Sequence, residues 1–212
     1  MSSLSQQLCN FADATKFEDL PQDVINEAKR LIMDSIASAF AGIGSDKGKF
    51  AIELSQKLGS GNESSIIGAR GKTSSSSAAF ANGELVNAID IDAFESPHGH
   101  FPPFVIPSIL ALAESKGASG KDLILATALG CEVARRVDSG MTPASAILDP
   151  KRGEHSLTLG NSHFIFGGVV GSSKILKQNQ EKMINAFGIA GHFCPVPSER
   201  KFQETIPIPM TK

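Results

Sequence analysis

An all-α protein built as a bundle of helices is what this sequence predicts, and three observations carry the prediction. Apolar residues recur at three- and four-residue spacing along most of the chain. Strand signals are scarce. Gly, Pro and Ser fall between the apolar segments, where they start or stop helices.

Leu4, Leu8 and Phe11 predict a short amphipathic first helix. Pro21 opens the second, which carries Val24, Ala28, Leu31, Ile32, Ile36 and Ala39 on one broad face and stops at Gly42 and Gly44. Gly42-x-Gly44-x-x-x-Gly48 follows a helix rather than a strand and has the wrong spacing for a nucleotide loop, so it reads as helix termination. A third helix runs from a cap at Ser45 or Asp46 through Phe50, Leu54 and Leu58 to Gly59. Gly59 to Thr73, with Ile66-Ile67 as its only apolar core, reads as a loop with at most a short strand. Ser74 to Ser77 form the capped start of a helix that continues through Ala78 to Ile89.

Beyond residue 100 the next helix covers Pro103 to Ala113, with Pro107 in its first turn and Gly117 at its end. Ser119 caps another, with Leu123, Ile124, Ala126, Ala128, Val133 and Val137. It is apolar most of the way round, which places it inside the bundle. Asp138 to Gly160 contains Pro143, Pro150, Gly153 and Gly160 and is predicted to be a long surface loop. Phe164 to Leu176 is rich in small residues and predicts a closely packed helix, followed by one over Gln180 to Ala190. Cys194 to Lys212 carries Pro195, Pro197, Pro207 and Pro209 and is predicted extended. The expected organisation is a helical domain over 1–192, itself incomplete, then an extended Pro-rich segment over 193–212.

The 212 residues are 41% hydrophobic, enough for a buried core. A net charge of −2 with no basic stripe argues against nucleic acid and anionic membranes as partners. The most apolar runs, such as Phe104 to Ala113, are well short of the roughly 20 residues a membrane span needs. Met1 to Gln7 lacks the pattern of a signal peptide. Cys9, Cys131 and Cys194 are odd in number and scattered, which argues for a reducing, cytoplasmic setting and against a disulfide frame or Cys-based zinc site. No G-x-S-x-G elbow supports a serine hydrolase.

The chemistry concentrates in one stretch, Asp90-Ile91-Asp92-Ala93-Phe94-Glu95-Ser96-Pro97-His98-Gly99-His100. Pro97 and Gly99 prevent one regular helix there, and titratable groups on an irregular segment between buried elements suit acid–base work. General acid–base catalysis needs one His near a substrate proton and one carboxylate to orient it. His98 and His100 lie two apart and on extended backbone point to opposite faces, a poor bidentate clamp. A metal would have to pair one of them with Asp90, Asp92 or Glu95. His155 and His163 flank a Gly-rich turn and are further candidates for the same pocket.

Several segments, in order, resemble the MmgE/PrpD family, which includes 2-methylcitrate dehydratase, cis-aconitate decarboxylase and iminodisuccinate epimerase. The likeness lies in Asp34 to Gly42, in Ala78-Ala79-Phe80-Ala81-Asn82-Gly83, and in Asp90-Ile91-Asp92 with His100. It continues through Pro107 to Gly120, Gly130 to Arg136, Phe166 to Leu176, and Met210-Thr211-Lys212. The chain departs from the family pattern at Ala93, where a second Asp is usual, at Phe94, where Thr is usual, and at Asn87, where His is common. The position of the family's second pocket His falls on Thr158, between His155 and His163.

The resemblance implies a large helical domain with a smaller α/β lid that this chain lacks, and chemistry on small polycarboxylates without metal or organic cofactor. Carried over residue by residue, it makes Asp90 the pocket carboxylate, His100 the acid–base histidine and Lys212 a binder of a substrate carboxylate. Asp92, His98, His155 and His163 are candidate substrate contacts. It also implies a homodimer. The expected activity is that of a cofactor-independent lyase or isomerase. The alternatives are an inactive helical fragment or interaction module, and a metal-dependent hydrolase using Asp92, His98 and His100.

Overall fold

Polar caps fix where the helices begin. The computed structural model describes residues 2–95, 99–148 and 162–194. Helix α1, Leu4–Ala14, opens on a capping box in which Ser3 Oγ accepts from Gln6 N and Gln6 Oε1 accepts from Ser3 N. Helix α2 spans Gln22–Gly42, after Pro21. Ser45 Oγ caps α3, Asp46–Leu58, and Ser74 Oγ caps α4, Ser75–Val86. Each such cap contributes about 1 kcal/mol. Helix α5, Pro102–Lys116, begins on two prolines, whose missing N–H groups cost nothing in a first turn, and ends at Gly117. Helices α6, Gly120–Leu148, α7, Ile165–Ile175, and α8, Gln180–Phe193, complete the order, the last capped by Asn179. The expected all-helical architecture is the one found.

Three apolar clusters share these helices. Phe101, Val105, Ile106 and Ile109 from α5 and its lead-in pack with Leu31 of α2, Ala126 and Ala134 of α6, and Phe164 beside α7. Cys9, Leu129, Val133, Val170, Met183 and Phe187 join α1, α6, α7 and α8. Ala39, Ile66, Ala78, Leu85 and Ala111 join α2, α4 and α5. Helix α5 therefore contributes to two clusters, and the segment between α4 and α5 lies at their junction. Full burial of one side chain the size of Phe164 or Leu85 stabilises by about 1.5–3 kcal/mol.

The most extensive contact is α6 on α7, and it is made backbone to backbone. A Cβ on Gly167 would lie 2.2 Å from the carbonyl oxygen of Gly130 and 2.8 Å from Ala134 Cβ. Only glycine permits that approach, as the run of small residues predicts.

The connection between α3 and α4 is a loop with little strand, as expected: β1, Ser64–Ser65, pairs antiparallel with β2, Lys72–Thr73. Side chains hold this corner. Ser64 Oγ donates to Ala111 O at 2.6 Å, Glu114 accepts from both Ser65 N and Ser65 Oγ, and Asn82 accepts from Ile67 N, so Ile66 is left to fill core. Helix α4 ends at Val86 rather than Ile89, where Asn87 turns its side chain to the adjoining loop. Helix α5 starts at Pro102, so Pro107 lies inside it, buried, rather than in the first turn. Helix α6 continues ten residues past Asp138, through Gly140 and Pro143, where a loop was expected. A proline removes one helical hydrogen bond and carries a penalty, but Ala144, Ala146 and Leu148 favour helix on its far side. Among the described residues, no helix is long and apolar enough to cross a membrane.

Candidate active site

The described residues of the segment between α4 and α5 are irregular, and three elements pin them. From α2, Asp34 Oδ2 accepts a hydrogen bond from Ala93 N at 3.0 Å. From α6, Arg135 Nε donates to Glu95 Oε1 at 2.8 Å. At the α5 end Phe101 is buried and meets Phe164 edge-on, ring centroids 6.1 Å apart. Glu95 and Gly99 exchange two backbone hydrogen bonds, of 3.2 and 2.7 Å, which returns the chain beside its entry. Gly99 has φ +105°, open to glycine and not to ordinary side chains. Asp90 has φ +60°, a left-handed conformation that Asp tolerates better than most residues.

This geometry gathers two aspartates around one imidazole. His100 Nδ1 lies 3.0 Å from Asp92 Oδ2, and His100 Nε2 lies 3.5 Å from Asp90 Oδ1. Phe94 packs against the ring at 5.1 Å between centroids. Asp92 is buried, whereas the Asp90 side chain is 37% exposed. Burial pushes the Asp92 carboxyl above its ordinary range, against the opposing pull of His100 and a hydrogen bond from Asn87. Asn87 Nδ2 donates to Asp92 Oδ1 at 3.1 Å, and Asn87 Oδ1 accepts from Lys47 Nζ at 3.5 Å. Lys47 in turn pairs with Glu84 at 3.1 Å.

Both aspartates singled out in the sequence thus stand beside His100. Asp92, expected as a substrate contact, is the close, buried partner, and Asp90, expected as the pocket carboxylate, faces the other nitrogen at longer range. An inward-facing carboxylate must be bonded, and Asp92 is, at both of its oxygens.

His163 is held elsewhere in the core. Its Nε2 lies 2.7 Å from Asp138 Oδ1, its ring packs on Phe164 at 4.3 Å, and its Nδ1 is buried with no hydrogen-bond partner among the described residues. Phe164 separates it from Phe101, the neighbour of His100 in sequence. His98, His155 and Lys212 lie outside the described residues. An open apolar groove of about 320 Å³ runs between α5, α7 and α8, lined by Phe104, Ser108, Val169 and Leu176 among others; no described residue of the Asp90–His100 loop lines it.

Single donor atoms from Asp90, Asp92 and His100 lie within 4.8 Å of one another, so these three side chains could together hold a divalent cation. The arrangement equally gives an imidazole with one nitrogen bonded to a buried carboxylate and the other beside a second carboxylate. That is the equipment for moving a proton at Nε2.

Asp34, Asn87 and Lys47 were not anticipated as parts of the site. Asp34 left a readable sign, an acid on the α2 stripe that otherwise buries Leu31, Ser35, Ser38 and Ala39. Asn87 stands where the resembled family commonly has His. Lys47 gave no sign.

A family model described as the MmgE/PrpD N-terminal domain matches residues 6–205. The cis-aconitate decarboxylase-like protein oryM of Aspergillus oryzae is 30% identical, over 89% of this chain and 39% of its own length. Cis-aconitate decarboxylase of Aspergillus terreus is 26% identical over 89% of this chain and 39% of its own. That of Mus musculus is 28% identical over 98% and 42%. The chain spans about two fifths of the length of these relatives.

Proposed function

Because the chain belongs to the MmgE/PrpD family, we propose that it carries the acid–base half of a lyase site that acts on a small di- or tricarboxylic acid next to a carboxylate. The observation that carries this reading is the His100 imidazole set between Asp92 at Nδ1 and Asp90 at Nε2. Two reaction types use that group in opposite directions. In a dehydration, neutral Nε2 takes the proton α to a carboxylate, the C–H electron pair forms the double bond, and the C–O bond breaks, so that hydroxide leaves as water with the proton that the imidazolium returns. In a decarboxylation, the C–C bond to the leaving CO2 breaks and its electron pair is taken up by carbon. The imidazolium then gives a proton to that carbon. Asp92 stabilises the imidazolium in both.

Both reactions build negative charge, and the substrate is itself anionic, so the site must supply cations. The groups around His100 are acidic, namely Asp34, Asp90, Asp92 and Glu95, and the nearby cations Lys47 and Arg135 each have a carboxylate partner. We therefore assign the neutralising charge to Lys212, on the strength of the family resemblance. No metal and no organic cofactor enters the proposal, and cis-aconitate, after the relatives' names, heads the substrates to test.

The test is His100→Ala in the protein, assayed against a panel containing cis-aconitate and 2-methylcitrate. A general acid–base group contributes about 100- to 10,000-fold, so turnover should fall by at least about 100-fold. Unchanged turnover removes the role of His100. Retention of activity after exhaustive chelation is expected; its loss would favour the metal-dependent reading of the same three residues.

A further inference from the structure

We propose that Asn87 is a positioning residue whose carboxamide, oriented by Lys47, locks Asp92 so that His100 is held as its Nδ1–H tautomer with Nε2 left as the basic nitrogen. The geometry rests on a chain of contacts that reads in one direction only. Lys47 is a donor and nothing else, and Glu84 holds it at 3.1 Å. The face of the Asn87 amide turned to Lys47 must therefore be its carbonyl oxygen, at 3.5 Å. That forces the NH2 group toward Asp92, where it donates to Oδ1 at 3.1 Å. One oxygen of the buried carboxylate is then committed to Asn87, and the other, Oδ2, is presented to His100 Nδ1 at 3.0 Å. A carboxylate accepts, and of the two that face the ring Asp92 is the nearer and the buried one, at 3.0 Å from Nδ1 against 3.5 Å from Nε2 to the more exposed Asp90, so the single proton of the neutral imidazole sits on Nδ1.

Position 87 is well placed for this task. It is the residue that ends α4, and α4 packs on both α2 and α3, so the amide is mounted on the bundle rather than on the loop. Without Asn87, Asp92 Oδ1 would stay buried with no side-chain donor, and the carboxylate would turn or take up a proton. Either outcome frees the ring of His100 to choose its other tautomer, which puts a proton where the base should be. The proposal leans on the acid–base reading of His100 only for its effect on turnover; the tautomer itself belongs to the chain.

The experiment is Asn87→Leu in the whole chain carrying 15N-histidine, with the ring nitrogens read by NMR and the His100 signals identified by their loss in His100→Gln. The unsubstituted protein should show His100 as the Nδ1–H form, and Asn87→Leu should populate the Nε2–H form. Asn87→His, which restores a ring donor, should recover the first pattern at least in part. Turnover by Asn87→Leu should fall about 10- to 100-fold in kcat with little change in KM, the loss of one hydrogen bond to a charged group. A His100 tautomer unchanged in a folded Asn87→Leu protein overturns the proposal. If that variant does not fold, Lys47→Met decides. It leaves Asn87 in place but lets its amide turn over, and a tautomer unmoved there also overturns the proposal. A shifted tautomer in a protein that turns over no polycarboxylate upholds the positioning role and refutes the proposed function instead.

Discussion

Replacing Gly167 by Ala tests whether the α6–α7 crossing is as close as described, because the two possible answers differ in sign. In an ordinary helix interior the change stabilises by about 1 kcal/mol, since Ala is the better helix former. Here the new Cβ would lie 2.2 Å from Gly130 O, 2.8 Å from Ala134 Cβ and 3.0 Å from Val105 Cγ2. A carbon and a carbonyl oxygen approach to about 3.3 Å, so the helices must part by about 1 Å. Two of the three obstructing atoms, a carbonyl oxygen and an alanine methyl, have no rotamer to escape into. Overpacking costs about 1–3 kcal/mol, and a backbone clash belongs at the upper end. The net loss is then about 2 kcal/mol, a fall in Tm of about 4–8 °C for a chain of this size. Gly188 in α8 is the control: no described atom lies within 4 Å of a Cβ there, so Gly188→Ala should raise Tm slightly. Thermal unfolding monitored by circular dichroism reads both. A Gly167→Ala protein that melts at or above the parent refutes the close crossing. The same variant should loosen the Asp138–His163 pair, because Asp138 is on α6 and His163 lies two residues before α7.

Buried charge gives two further outcomes. Burial raises the Asp92 carboxyl, so the folded chain holds that proton more tightly than the unfolded one. The carboxylate therefore costs stability at neutral pH, and the cost fades as pH falls through the raised folded value toward the ordinary carboxylate range. Relative to Asp92→Asn, the parent should gain Tm as pH is lowered from about 7 to about 4, and a constant difference would contradict the assignment. Lys174 Nζ donates to the carbonyls of Ala12, Asp13 and Thr15 at 2.8, 3.2 and 3.1 Å, closing the C-terminal end of α1. Lys174→Met should cost about 1.5–3 kcal/mol and raise amide exchange in α1 selectively; equal protection of α1 in both proteins would count against the clamp.

Local chemistry made most of the helices readable. Ser45, Ser74 and the Pro102-Pro103 pair act through neighbours one turn away, so their effect is visible in the sequence. The extension of α6 past Pro143 was not readable. A proline announces a penalty, and whether the helix bears it depends on the balance against the helix formers on its far side, Ala144, Ala146 and Leu148. The irregular loop and its His were legible from residue types. Which of Asp90 and Asp92 lies closer to the ring was not, because it depends on which carboxylate turns inward on a segment held by partners distant in sequence, Asp34 among them, 59 positions before Ala93. Lys47 reaches Asn87 across 40 positions, again beyond any periodicity.

That tie from Asp34 has a consequence for the sequence around it. It grips residue 93 by its main-chain N–H, a group carried by every amino acid except proline. The side chain at 93 takes no part in that hydrogen bond; it packs instead against the core cluster around Phe101 and Val105, where an alanine fits and the acid of the resembled family pattern would need a polar partner. Substitution at 93 therefore leaves the hydrogen bond to Asp34 possible and is felt in the packing beneath the loop instead.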